Sequence, residues 1–415
     1  MIRGVGWGAA ALLLVAAPVL AFPAALGPSA LATVAVFAAV VMLGAVGLVS
    51  DFGRLPWYVA VLVVAAIFAG IDVAEQPETI NHFAGLALGL FAMGTVAVWC
   101  RTRERFALAA FAFVACGAVV VAIGVRSALP VHTAKTIFGK ASPVTEPPAL
   151  PMGGLHSRTS VNRNPLAAVA MMVLPVAAAV AGSRLAGSGL RVPLQVVGLL
   201  AALWTLAVVV IMQSRSVWLA AAFIAWLMTR RFLKPAAWWS AAAAVFLVMP
   251  AVTYAFWGDH PRVVELMASV QTRLDIWAQG FDALRTSPWT GIGFDYFRHS
   301  GYSPVPVWPD LIVGRPHAHN MFLQTALDVG LIGLAAYVAV TAFILRRAYD
   351  MAVTIGGDGW VRSVGIAAGL SLLSVHIFGL LDAVALGAKV GIFQWLACGL
   401  VLAAWRLQKP GAIAV

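Results

Sequence analysis

Apolar runs recur along the whole chain, separated by short polar connections. About twelve of them are long enough to cross a bilayer as a helix: near residues 5–26, 28–50, 57–73, 82–100, 106–126, 165–183, 192–214, 216–229, 235–256, 320–345, 361–381 and 386–405. Every second connection is basic. Arg54, then Arg101, Arg103 and Arg105, then Arg184 and Arg191, then Arg230, Arg231 and Lys234, then Arg346 and Arg347, and finally Arg406 and Lys409 fall on one side when the spans alternate. The connection with Glu75 and Glu78 falls on the other. This alternation is the positive-inside pattern, and it predicts that both termini are cytoplasmic. No repeat at a fixed period and no low-complexity tract is present.

Two connections are long, and both fall on the outer side. The first, about 127–164, is rich in Pro, Gly and Ser. It ends in Asn162-Arg163-Asn164-Pro165 at the mouth of the sixth span. The second, about 257–318, is not featureless: Val263, Leu266, Val270, Leu274, Trp277, Phe281 and Leu284 recur at helical spacing, with Glu265, Asp275, Asp282 and Arg285 off that stripe. The pattern predicts an amphipathic helix lying on the outer membrane surface or on the bundle. Pro288 stops it, and Pro288-Trp289-Thr290-Gly291-Ile292-Gly293 reads as a turn-rich exit. A proline-rich stretch, 303–309, then leads to the next span.

Composition agrees with this reading. With 62% hydrophobic and 10% charged residues, the chain is an all-α polytopic membrane protein, a single integral membrane domain over 1–415 with the 257–318 loop inserted. The net charge of +11 is in part topology, so no nucleic acid is expected among its partners. Cys100, Cys116 and Cys398 all lie in apolar runs, which excludes a disulfide framework or a C-x-x-C site. Arg3 before the first apolar run resembles the start of a cleavable signal. That run is read as a retained span.

Candidate chemistry gathers where the second long loop meets the tenth span, in Arg315-Pro316-His317-Ala318-His319-Asn320. Nothing after Pro316 breaks a helix for many residues, so His319 and Asn320 are expected at a helix N-terminus. There, unpaired N–H groups favour an anion and keep an imidazole neutral. Gly330 and Gly333, three apart, are expected on one helix face that admits a neighbouring helix. Arg215, between apolar runs in Gln213-Ser214-Arg215-Ser216, sits on the side that the positive-inside rule disfavours. It is read as a ligand-binding arginine, against snorkelling at a helix end. Arg273 next to the amphipathic stripe reads, taken alone, as a solvated helix residue paired with Asp275 or Glu265. His376, inside span eleven, reads as a buried, hydrogen-bonded histidine. A metal at His317 and His319 needs further ligands, and no Asp-x-Asp occurs in the chain, so metal-independent chemistry is expected, with no metal and no cofactor.

The His-Asn, nine residues, Gly, two residues, Gly spacing of 319–333 resembles the signature of the O-antigen ligase family. Asn164-Pro165-Leu166-Ala167, Ser214-Arg215, Arg273-x-x-x-Trp277, Pro288-x-x-Gly291-x-Gly293 and Asp382 resemble its core in order and spacing, over roughly residues 155–400. The resemblance implies a GT-C-like membrane glycosyltransferase of the bacterial inner membrane with a periplasmic active site. Its donor is an undecaprenyl-diphosphate-linked O-antigen, its acceptor an outer-core sugar of lipid A-core, and it displaces the diphosphate with inversion. It assigns His319 as the base and Arg215 and Arg273 as donor-binding residues, with His317, Asn320, Arg315, Arg163, Asn164 and Asp382 as possible supports. An O-antigen polymerase using the same donor is the nearest alternative; the Arg-x10-Gly motif common in such enzymes is absent. A small-anion transporter is the rival of another class. Transporters keep polar residues near the bilayer midplane, whereas these cluster at one face.

Overall fold

The computed structural model describes residue 20 and residues 28–71, 77–128, 163–182, 191–230, 232–299, 317–354, 356–384 and 386–409. The first span apart from residue 20, residues 129–162 of the first long loop, the prolines of 303–309 and Arg315 lie outside these, as does the Arg163 side chain.

Among the described residues every regular element is helical. α1 (Pro28–Leu48), α2 (Leu55–Ile71), α3 (Pro77–Trp99), α4 (Arg103–Ala128), α5 (Arg163–Ala181), α6 (Arg191–Ile211) and α7 (Arg215–Thr229) come first. α8 (Pro235–Ala243) and α9 (Met249–Trp257) are joined by a π-helical turn, and α10 (Pro261–Thr286) and the short α11 (Tyr296–His299) follow. α12 (Met321–Val353), α13 (Gly359–Phe378) and α14 (Ile392–Leu407) complete the set. Eight stretches are long and apolar enough to cross a membrane, and α2, α7 and α14 are shorter apolar helices. These eleven match the runs expected from residue 28 onward. The chain is a multi-pass membrane protein.

The two ends of the bundle differ in chemistry. At one end, Arg103 pairs with Asp358 at 2.9 Å. Arg406 donates to the Cys100 carbonyl, and Arg347 lies over the Trp405 ring at 4.4 Å. These residues come from three of the arginine-rich connections. α12 runs from that end, at Arg346 and Arg347, to the histidines at the other.

α10 exists as expected, but it is turned. Ile276, Gly280, Ala283 and Leu284 are buried; Gly280 faces Leu323 and Leu327 of α12, and Ala283 and Leu284 share a cluster with them, against which Trp277 also packs. Val270, Leu274 and Phe281 of the expected stripe are 41%, 47% and 54% exposed. A bilayer explains the difference: apolar side chains need not face the protein, so Gly280 and Ala283 let α10 approach α12 beside Leu284, while Val270, Leu274 and Phe281 point away.

α12 departs further from the sequence reading. It is two helices meeting at Gly330, whose φ of 71° and ψ of 177° are non-helical. An unbroken helix would pair the Leu331 N–H with the Leu327 carbonyl. Instead, the Leu331 N–H donates to Pro288 O at 2.8 Å, and Leu327 O accepts from the Ile292 N–H at 2.7 Å. The segment after α10 is thus inserted into the break and satisfies both freed groups, as backbone at membrane depth requires. Gly330 is therefore not a helix-face glycine: a Cβ there would lie 2.1 Å from Trp289 O. Gly333 does admit a neighbour, Ala65 of α2, as expected. The nine residues between Asn320 and Gly330 are one half-helix, with the histidines at its start and the inserted loop at its end.

Candidate active site

Asn320 caps the half-helix, its Oδ1 accepting from the Phe322 and Leu323 N–H groups at 2.9 Å each. Its Nδ2 donates to Leu380 O at 3.2 Å, and the Met321 N–H donates to Gly379 O at 2.7 Å. These bonds fasten the start of α12 to the end of α13 and bring Asp382 beneath the histidines.

Asp382 is fully buried. Its Oδ1 lies 3.5 Å from His317 Nε2 and 3.4 Å from His319 Nδ1 and accepts from the Ala383 N–H; its Oδ2 accepts from Asn164 Nδ2 at the start of α5. Burial pushes the carboxyl up, but the His319 hydrogen bond, the charges of His317 and His319 and the Ala383 N–H together hold it below the ordinary 3.8. The Asp382 carboxylate stays ionised between two imidazoles.

The two histidines differ in what their nitrogens do. His317 Nδ1 accepts from the His319 backbone N–H at 3.1 Å, so its proton belongs on Nε2, facing Asp382. His319 turns Nδ1 to the same carboxylate oxygen, and with that nitrogen protonated its Nε2 is left as a proton acceptor. His319 is in the left-handed region at φ 50° and is 22% exposed, against 11% for His317. A non-glycine residue held there is strained, a feature that accumulates at functional sites. One ligand atom each of His317, His319 and Asp382 lies within 4.8 Å of the others, so the fold supplies a third potential metal ligand for the histidine pair.

Arg273 is not the solvated residue its neighbours suggest. Its Nε donates to Leu381 O at 3.0 Å, adjacent to Asp382, and its Nη1 donates to Ser269 O and Oγ at 3.3 and 2.6 Å. Three of its five N–H donors are used, and Nη2 carries the remaining two. Trp277, one turn on, donates to Ala318 O at 2.9 Å. Arg215 is exposed and opens α7, with Ser214 as the N-cap. Because α5, α6 and α7 are consecutive spans, Arg215 comes to the same end of the bundle as Asn164. His376 is buried, with Tyr337 Oη 2.9 Å from its Nε2 and Leu372 O 2.7 Å from its Nδ1, as read from the sequence.

The family model for O-antigen ligase matches residues 200–338, which hold Arg215, Arg273, Trp277, His317, His319, Asn320, Gly330 and Gly333. Over that segment, about a third of its length, the chain is similar to the O-antigen ligase superfamily. The exopolysaccharide production protein ExoQ of Rhizobium meliloti (strain 1021) is 32% identical over 111 residues, a quarter of this chain. That match spans 26% of the relative's length. The superfamily consists of membrane enzymes of the ligase and polymerase type that act on polysaccharide and lipid-linked substrates. Asp382 and Asn164 lie outside the matched segment and reach the ligase-family histidines only through the fold.

Gln324 and Asp328 are buried beside the site and were not singled out from sequence. The signal available was a charged residue inside an apolar span, a costly placement.

Proposed function

We propose that the chain is an O-antigen ligase that transfers O-antigen polysaccharide from undecaprenyl diphosphate to an outer-core sugar of lipid A-core, at the periplasmic face of a bacterial inner membrane. The observation that carries this reading is the Asp382–His319 pair beside the anchored Arg273 guanidinium. It lies at the bundle end opposite the arginine-rich connections, which the positive-inside rule assigns to the cytoplasm along with both termini. An acceptor hydroxyl is too weakly acidic to attack unaided. His319 Nε2 takes its proton as the oxygen bonds to the anomeric carbon, and Asp382 stabilises the imidazolium that forms. The anomeric C–O bond breaks with its electron pair going to the diphosphate, whose growing charge is met by Arg273 Nη2 and Arg215. A single displacement inverts the anomeric centre.

Reconstitution with purified lipid-linked donor and lipid A-core tests the reaction. The expected result is polymer on lipid A-core, undiminished by a chelator. Loss of transfer on chelation, restored by a divalent metal, would instead make His317, His319 and Asp382 a metal centre.

A second reading, polymerisation on the same donor, is favoured by the relative whose name describes exopolysaccharide production. A strain lacking the ligase accumulates lipid-linked polymer over bare lipid A-core, whereas one lacking a polymerase caps the core with single repeats.

Lysine in place of either arginine separates a diphosphate clamp from a fold role. Lys keeps the charge but replaces a planar fork with one point charge. Arg273→Lys and Arg215→Lys are expected to lose most turnover with the protein still inserted, and free undecaprenyl diphosphate is expected to inhibit the wild type. Transfer near the wild-type rate in both variants would remove them from the chemistry.

The topology has its own check, by impermeant thiol labelling from outside. A cysteine in place of Asp259, in the α9–α10 turn, is expected to label, and one in place of Thr102 to stay unlabelled. The reverse pattern would put the site on the wrong side.

A further inference from the structure

Three polar side chains lie on the buried face of the half-helix: Gln324, Thr325 and Asp328, at 0%, 1% and 1% exposure. Thr325 spends its hydroxyl on Met321 O in its own helix, as such residues do. The other two form a directed chain. Asp328 Oδ1 accepts from the Asp295 backbone N–H at 3.1 Å and from Gln324 Nε2 at 2.8 Å. Gln324 Oε1 accepts from the Ala318 N–H at 2.9 Å, between the two histidines.

The backbone N–H of Ala318 only donates, so Gln324 must turn its oxygen to Ala318 and hence its NH2 to Asp328 Oδ1, which already accepts from the Asp295 N–H. The carbonyl of Ala318 is held independently by Trp277 of α10. The residue carrying the strained φ of His319 is therefore preceded by a residue fixed on both its N–H and its C=O. The far end of the chain is Asp295, also left-handed at φ 55° and buried, in the segment that runs on from the loop inserted at Gly330. A carboxylate inside a span is expensive, and burial without a purpose would favour its replacement by an apolar residue.

We propose that Gln324 and Asp328 are positioning residues for His319: Asp328 Oδ1 holds the NH2 of the Gln324 amide, and the amide oxygen holds the 317–319 turn in the left-handed bend that faces both imidazoles to Asp382. The proposal rests on the reading of His319 as the base. Neither residue touches substrate. Their effect is to keep Nε2 aimed at the acceptor hydroxyl, where a displacement of about 1 Å costs on the order of 10²-fold.

The test is a charge exchange between the two positions. Gln324→Glu still accepts from Ala318 but sets a second carboxylate against Asp328. Its kcat is expected to fall about 10- to 100-fold near neutral pH, with donor KM and melting temperature close to wild type. Adding Asp328→Asn relieves the clash: with its Nδ2 in the place of Oδ1 the new amide donates to the carboxylate of Gln324→Glu, at the cost of the bond from the Asp295 N–H. The double variant is expected to regain part of the lost rate. A double variant no faster than Gln324→Glu would overturn the proposal. So would a melting temperature that falls, or a KM that rises, in step with the loss of rate.

A second readout does not use transfer at all. His319 is expected to react with diethyl pyrocarbonate several-fold faster in Gln324→Met than in the wild type, by peptide mass spectrometry, because its ring is released from Asp382. An unchanged rate would also overturn the positioning role. If this rate changes while the wild type transfers nothing in reconstitution, the ligase reading fails and the positioning role stands.

Discussion

Replacing His319 by Ala is expected to lower transfer by about 10²–10⁴-fold, the usual cost of removing a general base, while the protein still inserts and binds donor. The geometry sharpens this into a comparison with Asp382→Asn. In the wild type both carboxylate oxygens accept: Oδ2 from Asn164, and Oδ1 from the Ala383 N–H with His319 Nδ1 at 3.4 Å. An Asn at 382 has one accepting oxygen. If that oxygen keeps Asn164, its NH2 faces His319 Nδ1, which must then accept. The proton moves to Nε2, and the base is lost though the imidazole remains. If the oxygen faces His319 instead, the bond to Asn164 is lost. Asp382→Asn is therefore expected to lose nearly as much rate as His319→Ala, and the double variant little more than either, because the two act as one unit. Turnover near wild type in His319→Ala, measured on purified protein, would move the base to His317.

The same substitution has a consequence for stability. A carboxyl held below 3.8 stabilises the fold at pH values above that ordinary value, and the contribution is lost as pH falls through the lower folded value. Acid unfolding of the wild type should include this loss, and that of Asp382→Asn should not.

Gly330→Ala is the second large effect, and it acts on the fold rather than on the chemistry. With φ 71° and ψ 177°, the residue occupies a region essentially restricted to glycine. An added Cβ would also lie 2.1 Å from Trp289 O and 2.5 Å from Thr290 N, both backbone atoms of the inserted loop. No side-chain rotation relieves that. The loop must leave, and with it the partners of Leu327 O and the Leu331 N–H. The expected cost is at least about 3 kcal/mol, visible as a large drop in melting temperature and in detergent-extractable protein. Gly333→Ala is the milder comparison: its Cβ meets Val329 Cγ2 at 2.4 Å, Val329 Cβ at 2.7 Å and Ala65 Cβ at 3.2 Å, so the helix must shift locally, but no inserted loop backbone is displaced. Equal stability of the two variants would show that the break at Gly330 is not needed for the fold.

The spans, their order and the arginine-rich connections were legible in the sequence because both signals are local. An apolar run must be helical in a bilayer, where every backbone group has to be satisfied within the protein, and the alternation of charge needs no knowledge of packing. The position of His319 and Asn320 at a helix start was equally local, set by Pro316 and by a side chain able to cap. What the sequence could not decide is everything carried by contacts between distant residues. The sequence brought in Asp382 only by resemblance, and nothing local placed it against His319, because that contact is made when two helix ends meet. Arg273 reads as a surface residue until the Leu381 carbonyl is brought to its Nε. Gly330 reads as a helix-packing glycine because its period fits. Only the loop 288–292, arriving from some forty residues earlier in the chain, opens the helix there and supplies the hydrogen bonds that the break requires.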